Sequence, residues 1–385
     1  MPPEEAAESD AAQPDLPPPP QTLQVQFTGT GRGYFSVWLV NVLLNVLSLG
    51  LFWPFAQARK QVFFHQHTLV GGQALTFDAK PWTQFQTHLL LIGLCLLNGL
   101  VYLFKPALLW LPALLLALLW PALWQASLVF RFKHTQWRGL RFGFVGTVVQ
   151  AYEVMLPLCL PALFGVLLMS LKIFPSWAEL GQTQTLMGPL GVMLLGMVLV
   201  LPWQLLRLHA FVRSGCTYAS ERSHLNPFAL AKPVYLLHLK ALGMALLLLT
   251  ALSAVAAVLA RAGQSTGLAA SLTLSCLAFP LVLHPYFKAR MQNLLWGQTA
   301  STHIRFRSTL GYLDLFWVNL QNCLLVVLTL GLYWPFAVVR NTRLKMAAMV
   351  VVVQGELPRW PAQSSQPTGS LQTLDSASAQ MGALS

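Results

Sequence analysis

The hydrophobic positions of this chain fall into long blocks that no charged residue interrupts. Many blocks reach about 20–25 residues, the length that a helix needs to cross a bilayer. We predict six membrane spans, at 86–104, 107–130, 153–173, 184–206, 236–260 and 266–287. Two further apolar stretches, 34–56 and 313–338, lie on either side of this region. The pattern predicts an all-α polytopic membrane protein.

An internal repeat connects the two ends of this region. The segment 47–59 (LSLGLFWPFAQAR) is identical to 328–340 (LTLGLYWPFAVVR) at nine of thirteen positions. Weaker copies keep an Arg five residues after a Pro, at Pro54/Arg59, Pro202/Arg207, Pro285/Arg290 and Pro335/Arg340. Pro121 marks one more copy, in which Ala126 replaces the Arg. We therefore predict a degenerate repeat of helical hairpins.

The loops between spans carry turn signals. Gln61–Phe77, with Gly71 and Gly72 at its centre, and Phe130–Phe144, with Gly139, are typical of β-hairpins. Small β-hairpin loops of this kind could form a basic cap that presents arginines to an acidic partner or to anionic lipid. These arginines are Arg138, Arg141, Arg305 and Arg307. A plain positive-inside signal explains the same residues.

Composition and charge narrow the class of protein and indicate how it is oriented in the membrane. Only 9% of the residues are charged and 55% are hydrophobic, with a mean hydropathy of +0.57, which excludes a soluble enzyme and a disordered protein. The net charge is +12, and the long loops are basic, so we place them in the cytoplasm. We predict a disordered acidic, Pro-rich tail at residues 1–22 and a membrane domain at 23–353. We predict a second disordered tail at 354–385.

The two terminal apolar stretches leave two arrangements open. If 34–56 and 313–338 each cross the bilayer once, eight basic residues lie outside against sixteen inside. If they are re-entrant and turn at Gly50 and Gly331, only three lie outside against twenty-one. The re-entrant arrangement fits the charge rule and the repeat better.

The opening of the domain resembles a known family. The stretch FTGTGRGYF at 27–35, Trp38 to Asn41, and Leu49-Gly50 through Trp53, Ala56 and Arg59 are similar to the start of the YjgN family. The resemblance covers residues 25 to about 350. It implies a multi-pass protein of the bacterial inner membrane with no assigned activity and no catalytic residues to transfer.

Two sets of residues are candidates for binding. Trp, Pro and Arg suit a membrane exit, either as an anchor or as a lipid-headgroup site. The candidate headgroup contacts are Arg59, Arg207, Arg290, Arg340, Trp53 and Trp334. Amides in apolar segments either join helices or line a path for a solute. The candidate amides are Asn41, Asn45, Asn319 and Asn322.

No catalytic constellation is evident, and no Asp or Glu lies at the centre of a span, which argues against an enzyme and a proton-coupled pump. His65 and His67 would share one face of a strand, but no acidic residue stands beside them in the sequence to suggest a metal site. We expect no cofactor, no metal and no nucleic acid. The leading function is non-catalytic binding or passage of lipid or a weakly polar solute. The alternative is a membrane-anchored scaffold whose basic cytoplasmic face holds an unidentified protein partner.

Overall fold

A computed structural model describes residues 20–78, 81–170, 184–219, 221–261 and 279–354 and is mostly helical. The helices are α1 Gly31–Leu47, α2 Trp53–Gln66, α3 Pro81–Phe104, α4 Trp110–Lys133, α5 Val148–Ser170, α6 Gln184–Ser214, α7 Pro227–Arg261, α8 His284–Gly297, α9 Tyr312–Leu328 and α10 Trp334–Ala347. A π-helical turn, Phe279–Leu283, leads into α8. The strands are β1 Gln21–Phe27, β2 Thr68–Val70, β3 Gln73–Ala74, β4 Thr76–Phe77, β5 Thr135–Trp137, β6 Leu140–Phe144, β7 Cys216–Tyr218, β8 Glu221–Arg222, β9 Ile304–Ser308 and β10 Met349–Val353.

Three helices in the described ranges are long and apolar enough to cross a bilayer. They cover Gln84–Phe104, Trp110–Lys133 and Pro227–Val258, and at most 11% of each apolar window is buried inside the structure. Leu103 and Leu247, for example, are 74% and 72% exposed. An apolar surface of this kind is typical of a membrane protein, because lipid can cover what the protein does not. Most of the predicted span 266–287 lies outside the described residues.

The connections between the helices form two five-stranded sheets. Their orders are β3-β2-β1-β10-β9 and β4-β5-β6-β7-β8, and every pairing is antiparallel. The all-α prediction therefore understates the β structure, since strands from separate loops pair with one another. The hairpin predicted over Gln61–Phe77 is also shorter, because α2 continues to Gln66.

The two sheets pack on each other around one hydrophobic core, and we call them together the cap. Val25, Val351 and Val353 from the first sheet join Trp137 and Tyr218 from the second. The Tyr218 hydroxyl donates to the carbonyl oxygen of Trp137 at 3.1 Å, which ties β7 to β5. Since the strands lie in the connections between helix ends, the cap gathers these ends on one side of the helices.

Each end of the chain forms a helical hairpin that leaves the cap and returns to it. Helix α1 follows β1, α2 precedes β2, and Phe27 pairs with Thr68 across the two strands. Between the helices, Leu49 and Gly50 adopt φ of 50° and 89° and reverse the chain. The hairpin of α9 and α10 reverses in the same way at Leu330 and Gly331, with φ of 50° and 93°. Leu49 and Leu330, at the two tips, are 93% and 95% exposed.

The two end hairpins lie side by side. The rings of Phe35 and Phe336 are 5.7 Å apart, and Arg343 donates to the carbonyl oxygen of Gly29 at 2.9 Å. At the chain ends, β1 begins at Gln21 and β10 runs to Val353, and these two residues are paired. Strand β1 therefore includes the last two residues of the predicted tail 1–22, and residues 1–19 and 355–385 lie outside the described residues.

Candidate functional site

The Pro and Arg of the repeated motif occupy equivalent places in the structure. Each of Arg59, Arg207, Arg290 and Arg340 lies seven residues before the last residue of its helix, α2, α6, α8 or α10. Ala126 has the same spacing in α4. The five associated prolines are all buried: Pro54, Pro121, Pro202, Pro285 and Pro335. The motif thus marks the last turns of each helix that runs into the cap.

Neighbouring positions repeat their hydrogen bonds as well. The hydroxyls of Thr68, Thr135 and Thr299 each donate to the carbonyl oxygen four residues earlier, which satisfies a free acceptor at a helix end. Tyr152 and Tyr235 donate to the carbonyls three residues before Pro121 and Pro202. A proline inside a helix opens the turn before it, so these carbonyls are accessible.

Of the six candidate headgroup residues, Arg207 lines a cleft that is described below. Arg59 is exposed and lies 5.3 Å over the Phe52 ring. Arg340 is exposed and donates to Gln321, and Arg290 is exposed. Trp53 and Trp334 are 52% and 56% exposed near the start of α2 and α10. These groups lie on the outer surface, where headgroup contact stays a prediction.

The candidate amides bond within their own hairpins. Asn41 Nδ2 donates to the carbonyl oxygen of Ala56 at 3.2 Å, and Asn322 Nδ2 to that of Ala337 at 3.5 Å. Both side chains are buried, and the Oδ1 atoms of Asn41, Asn45 and Asn322 have no hydrogen-bond partner in the described structure. Asn319 is half-buried on α9. The contacts favour a role in joining the helices, and the lining of a solute path stays a prediction.

An amphipathic cleft of about 240 Å³ lies where α5 begins, α6 ends and α7 begins. Its apolar wall includes Val154, Ala210 and Leu225, all buried. Its polar groups are Gln150, Glu153, Arg207, Ser214 and Arg222. We call this site the α5–α6–α7 cleft. The sequence marked Arg207 as a candidate headgroup contact, but only the fold places it in one cleft with Glu153.

Local hydrogen bonds hold the polar side of this cleft in place. Thr147 and Gln150 cap α5 reciprocally: the Thr147 N–H donates to Gln150 Oε1 at 3.1 Å, and the Gln150 N–H to Thr147 Oγ1 at 3.3 Å. Arg222 Nε donates to the carbonyl oxygen of Ser214 at 3.0 Å, which places its guanidinium beside the end of α6. The T-x-x-Q spacing is a sequence signal that could have marked this helix start.

The loop histidines have other roles than the sequence suggests. His65 and His67 do not share a strand: His65 lies in α2, His67 ends it, and each ring contacts the carbonyl four residues earlier. His303 Nδ1 lies 2.7 Å from Glu221 Oε1 and links the sheet of β8 to the loop before β9. Burial alone would raise the pKa of Glu221, but hydrogen bonds from His303 and Ser301 outweigh it and lower that pKa. Glu221 is therefore ionised at neutral pH.

Within the described ranges, no three His, Cys, Asp or Glu side chains lie close enough together to hold a metal ion.

The geometry defines a class: apolar helices and two reversing hairpins carried on one β-sheet cap, typical of a membrane protein. The chain belongs to the bacterial protein family of unknown function DUF898, whose model matches residues 22–373, and the resemblance to the YjgN family is confirmed. Comparison with curated proteins finds no match, and neither does comparison with solved structures.

Proposed function

We propose that this protein lies in the bacterial inner membrane and binds lipid, or another weakly polar solute, in the α5–α6–α7 cleft without catalysing a reaction. The cap is cytoplasmic in this proposal, and the end hairpins are re-entrant segments of a degenerate repeat. Passage of the bound molecule between leaflets would be the extension of this binding. The observation that carries the proposal is the position of the cleft at the end of α6, where the helix meets the cap and Arg207 lies seven residues before its last residue.

The chemistry of the cleft suits a phospholipid. Arg207 is half-buried and Arg222 is exposed, so their guanidinium groups can meet a phosphate while part of each stem packs on apolar surface. The buried wall of Val154, Ala210 and Leu225 suits the start of an acyl chain. Glu153, exposed at the same cleft, adds a negative group that could meet an amine of the headgroup.

The Arg207→Gln variant tests this proposal, and we expect it to bind lipid more weakly than the wild type. A charge-assisted hydrogen bond contributes about 1.5–3 kcal/mol, so we expect the Kd for a fluorescent phosphatidylethanolamine to rise about tenfold. The measurement is fluorescence anisotropy with the purified full chain in detergent. The control is Arg32→Gln, which removes an exposed arginine at the start of α1 that is neither in the cleft nor among the candidate headgroup contacts, and it should leave the Kd unchanged. Equal Kd values for both variants and the wild type would contradict the proposal.

A specific observation also favours the alternative function, an interaction scaffold. On β9, exposed Arg305 and Arg307 alternate with buried Ile304 and Ser308, so the outer face of the cap is basic. Arg138 and Arg141 are exposed on the second sheet. Such a face suits an acidic protein surface. Lipid binding that is insensitive to Arg207→Gln would favour this alternative.

A further inference from the structure

The end of α6 carries basic side chains on two different faces. Arg207 lines the α5–α6–α7 cleft, whereas Arg213 points to α8. Its guanidinium lies 4.0 Å from the centre of the Trp296 ring and donates to Thr299 Oγ1 at 3.0 Å. His209 lies one helical turn before Arg213 and so shares its face. These contacts fix one edge of Arg213 and leave its other N–H groups for another partner.

Helix α8 brings a second basic face to the same place. Lys288 and Gln292 are four residues apart and share one side of α8. Gln292 Nε2 donates to the carbonyl oxygen of Lys345 at 3.1 Å, which attaches the end of α10 to this side. Lys288 is exposed and Lys345 is half-buried. We call the four basic side chains, His209, Arg213, Lys288 and Lys345, the basic groove.

The basic groove lies along one side of α8, where Lys288, Gln292 and Trp296 follow one another at intervals of four residues. Arg213 contacts this side at Trp296, and the backbone of Lys345 contacts it at Gln292. Burial lowers the pKa of His209, and the charges of Arg213 and Lys288 lower it further. Burial also lowers the pKa of Lys345, with a second contribution from Lys288. Burial lowers the pKa of Arg213 to about 10, which leaves it charged at neutral pH.

No carboxylate offsets these charges within the described ranges. The acidic residues there are Asp78, Glu153, Glu221 and Asp314. The one ion pair found in these ranges uses Glu221, which is bound to His303, and Glu153 lies in the cleft beside Arg207. Partly desolvated cations that face one another are unfavourable unless an anion lies between them.

We propose that the basic groove is a second binding site, separate from the α5–α6–α7 cleft, that takes a phosphate group. The phosphate belongs to an anionic lipid headgroup or to a free phosphate compound. Lys288 and Lys345 provide ammonium donors, Arg213 provides a planar guanidinium, and neutral His209 provides one ring N–H. Lys288 lies three residues after Pro285, in the first turns of α8, within reach of a lipid headgroup.

The test compares thermal unfolding of the purified full chain in detergent with two phosphate sources. One arm adds inorganic pyrophosphate, and the other adds phosphatidylglycerol, with diacylglycerol as the lipid that lacks phosphate. We expect at least one source to raise the midpoint of the wild type. In Lys288→Gln the apparent Kd for that source should rise about tenfold. Without ligand, the midpoint of this variant should equal or exceed that of the wild type, because repulsion in the groove is reduced.

Two controls separate this site from its surroundings. Arg32→Gln changes an exposed cation at the start of α1, and Lys133→Gln changes an exposed lysine at the end of α4. Both lie outside the basic groove and the cleft, so both variants should keep the response to phosphate. Lys345→Gln is the second groove variant and should also lose the response to phosphate. Its backbone contact to Gln292 is kept, so the loss can be assigned to the missing ammonium group. A shift with pyrophosphate alone assigns the site to free phosphate, and a shift with phosphatidylglycerol alone assigns it to lipid. No shift with either source, or an unchanged Kd in both groove variants, overturns the proposal.

Discussion

Replacing both hairpin tips with acidic residues should prevent stable insertion of the protein. Leu49 and Leu330 are 93% and 95% exposed, so Leu49→Asp and Leu330→Asp would remove almost no contact inside the protein. In water such surface changes alter stability by about 0.5 kcal/mol or less. Inside a bilayer, an Asp costs about 2.5–3.5 kcal/mol at the centre of a helix. Helix α1 has 17 residues and is about 26 Å long, so its tip can reach deep into the hydrocarbon region.

The measurement is thermal unfolding of the double variant in lipid nanodiscs, together with its yield from membranes. We expect a large loss of yield and a midpoint lowered by many degrees. Val145→Asp is the matched control, because Val145 is an apolar residue, 47% exposed, in the connection beside the cap. Tip variants that behave like Val145→Asp would contradict re-entry of the hairpins.

Removing the Trp137 side chain should separate the two sheets of the cap. Trp137 is 6% exposed, packs in the core that both sheets share, and has its ring 5.4 Å from that of Tyr218. Trp137→Ala would leave a large cavity, and such changes cost about 3–5 kcal/mol. We therefore expect a clear fall in the unfolding midpoint in detergent and faster proteolysis of the strands.

The control for this prediction is Trp137→Phe. The Trp137 Nε1 atom is buried and has no hydrogen-bond partner in the described structure, so the loss of its N–H should matter little. We expect Trp137→Phe to lose much less stability than Trp137→Ala, because the smaller aromatic ring still fills most of the site. If Trp137→Ala were as stable as the wild type, the shared core would not hold the cap together.

The Pro-to-Arg spacing of the sequence motif has a local counterpart in the structure, although the helix ends themselves were not predicted from it. Proline and arginine act within a turn or two of their own position, so a fixed Pro-to-Arg spacing carries over directly into a fixed distance from the helix end, as at Arg59 and Arg340. The same locality explains one error. Val62 and the aromatic residues after it favour a strand, but Phe63 packs on the Tyr34 ring, 5.3 Å away, and tertiary contact keeps α2 helical to Gln66.

The cap and the cleft depend on contacts between distant parts of the chain. Gln21 pairs with Val353, and Glu221 meets His303. Alternation along a short strand says which face is buried but does not name the partner strand. The cleft draws on residues from Gly146 to Pro227, and no single motif spans that distance. The sequence could therefore suggest Arg207 as a binding residue, but it could not suggest the apolar residues that form the wall of the cleft.

The central proposal is that the cap, which holds both ends of the membrane domain, lies in the cytoplasm. Thiol labelling with a membrane-impermeant reagent tests it most directly, using single cysteines at Gln24 and Gln354 after replacement of the five native cysteines. Both positions are exposed on the protein surface, so the protein itself does not keep the reagent from these cysteines. A cysteine at Lys105, exposed between α3 and α4, is the control for the outer side.

The account predicts that intact spheroplasts label the cysteine at Lys105 but not those at Gln24 and Gln354, and that permeabilised cells label all three. Labelling at Gln24 or Gln354 in intact spheroplasts would contradict it.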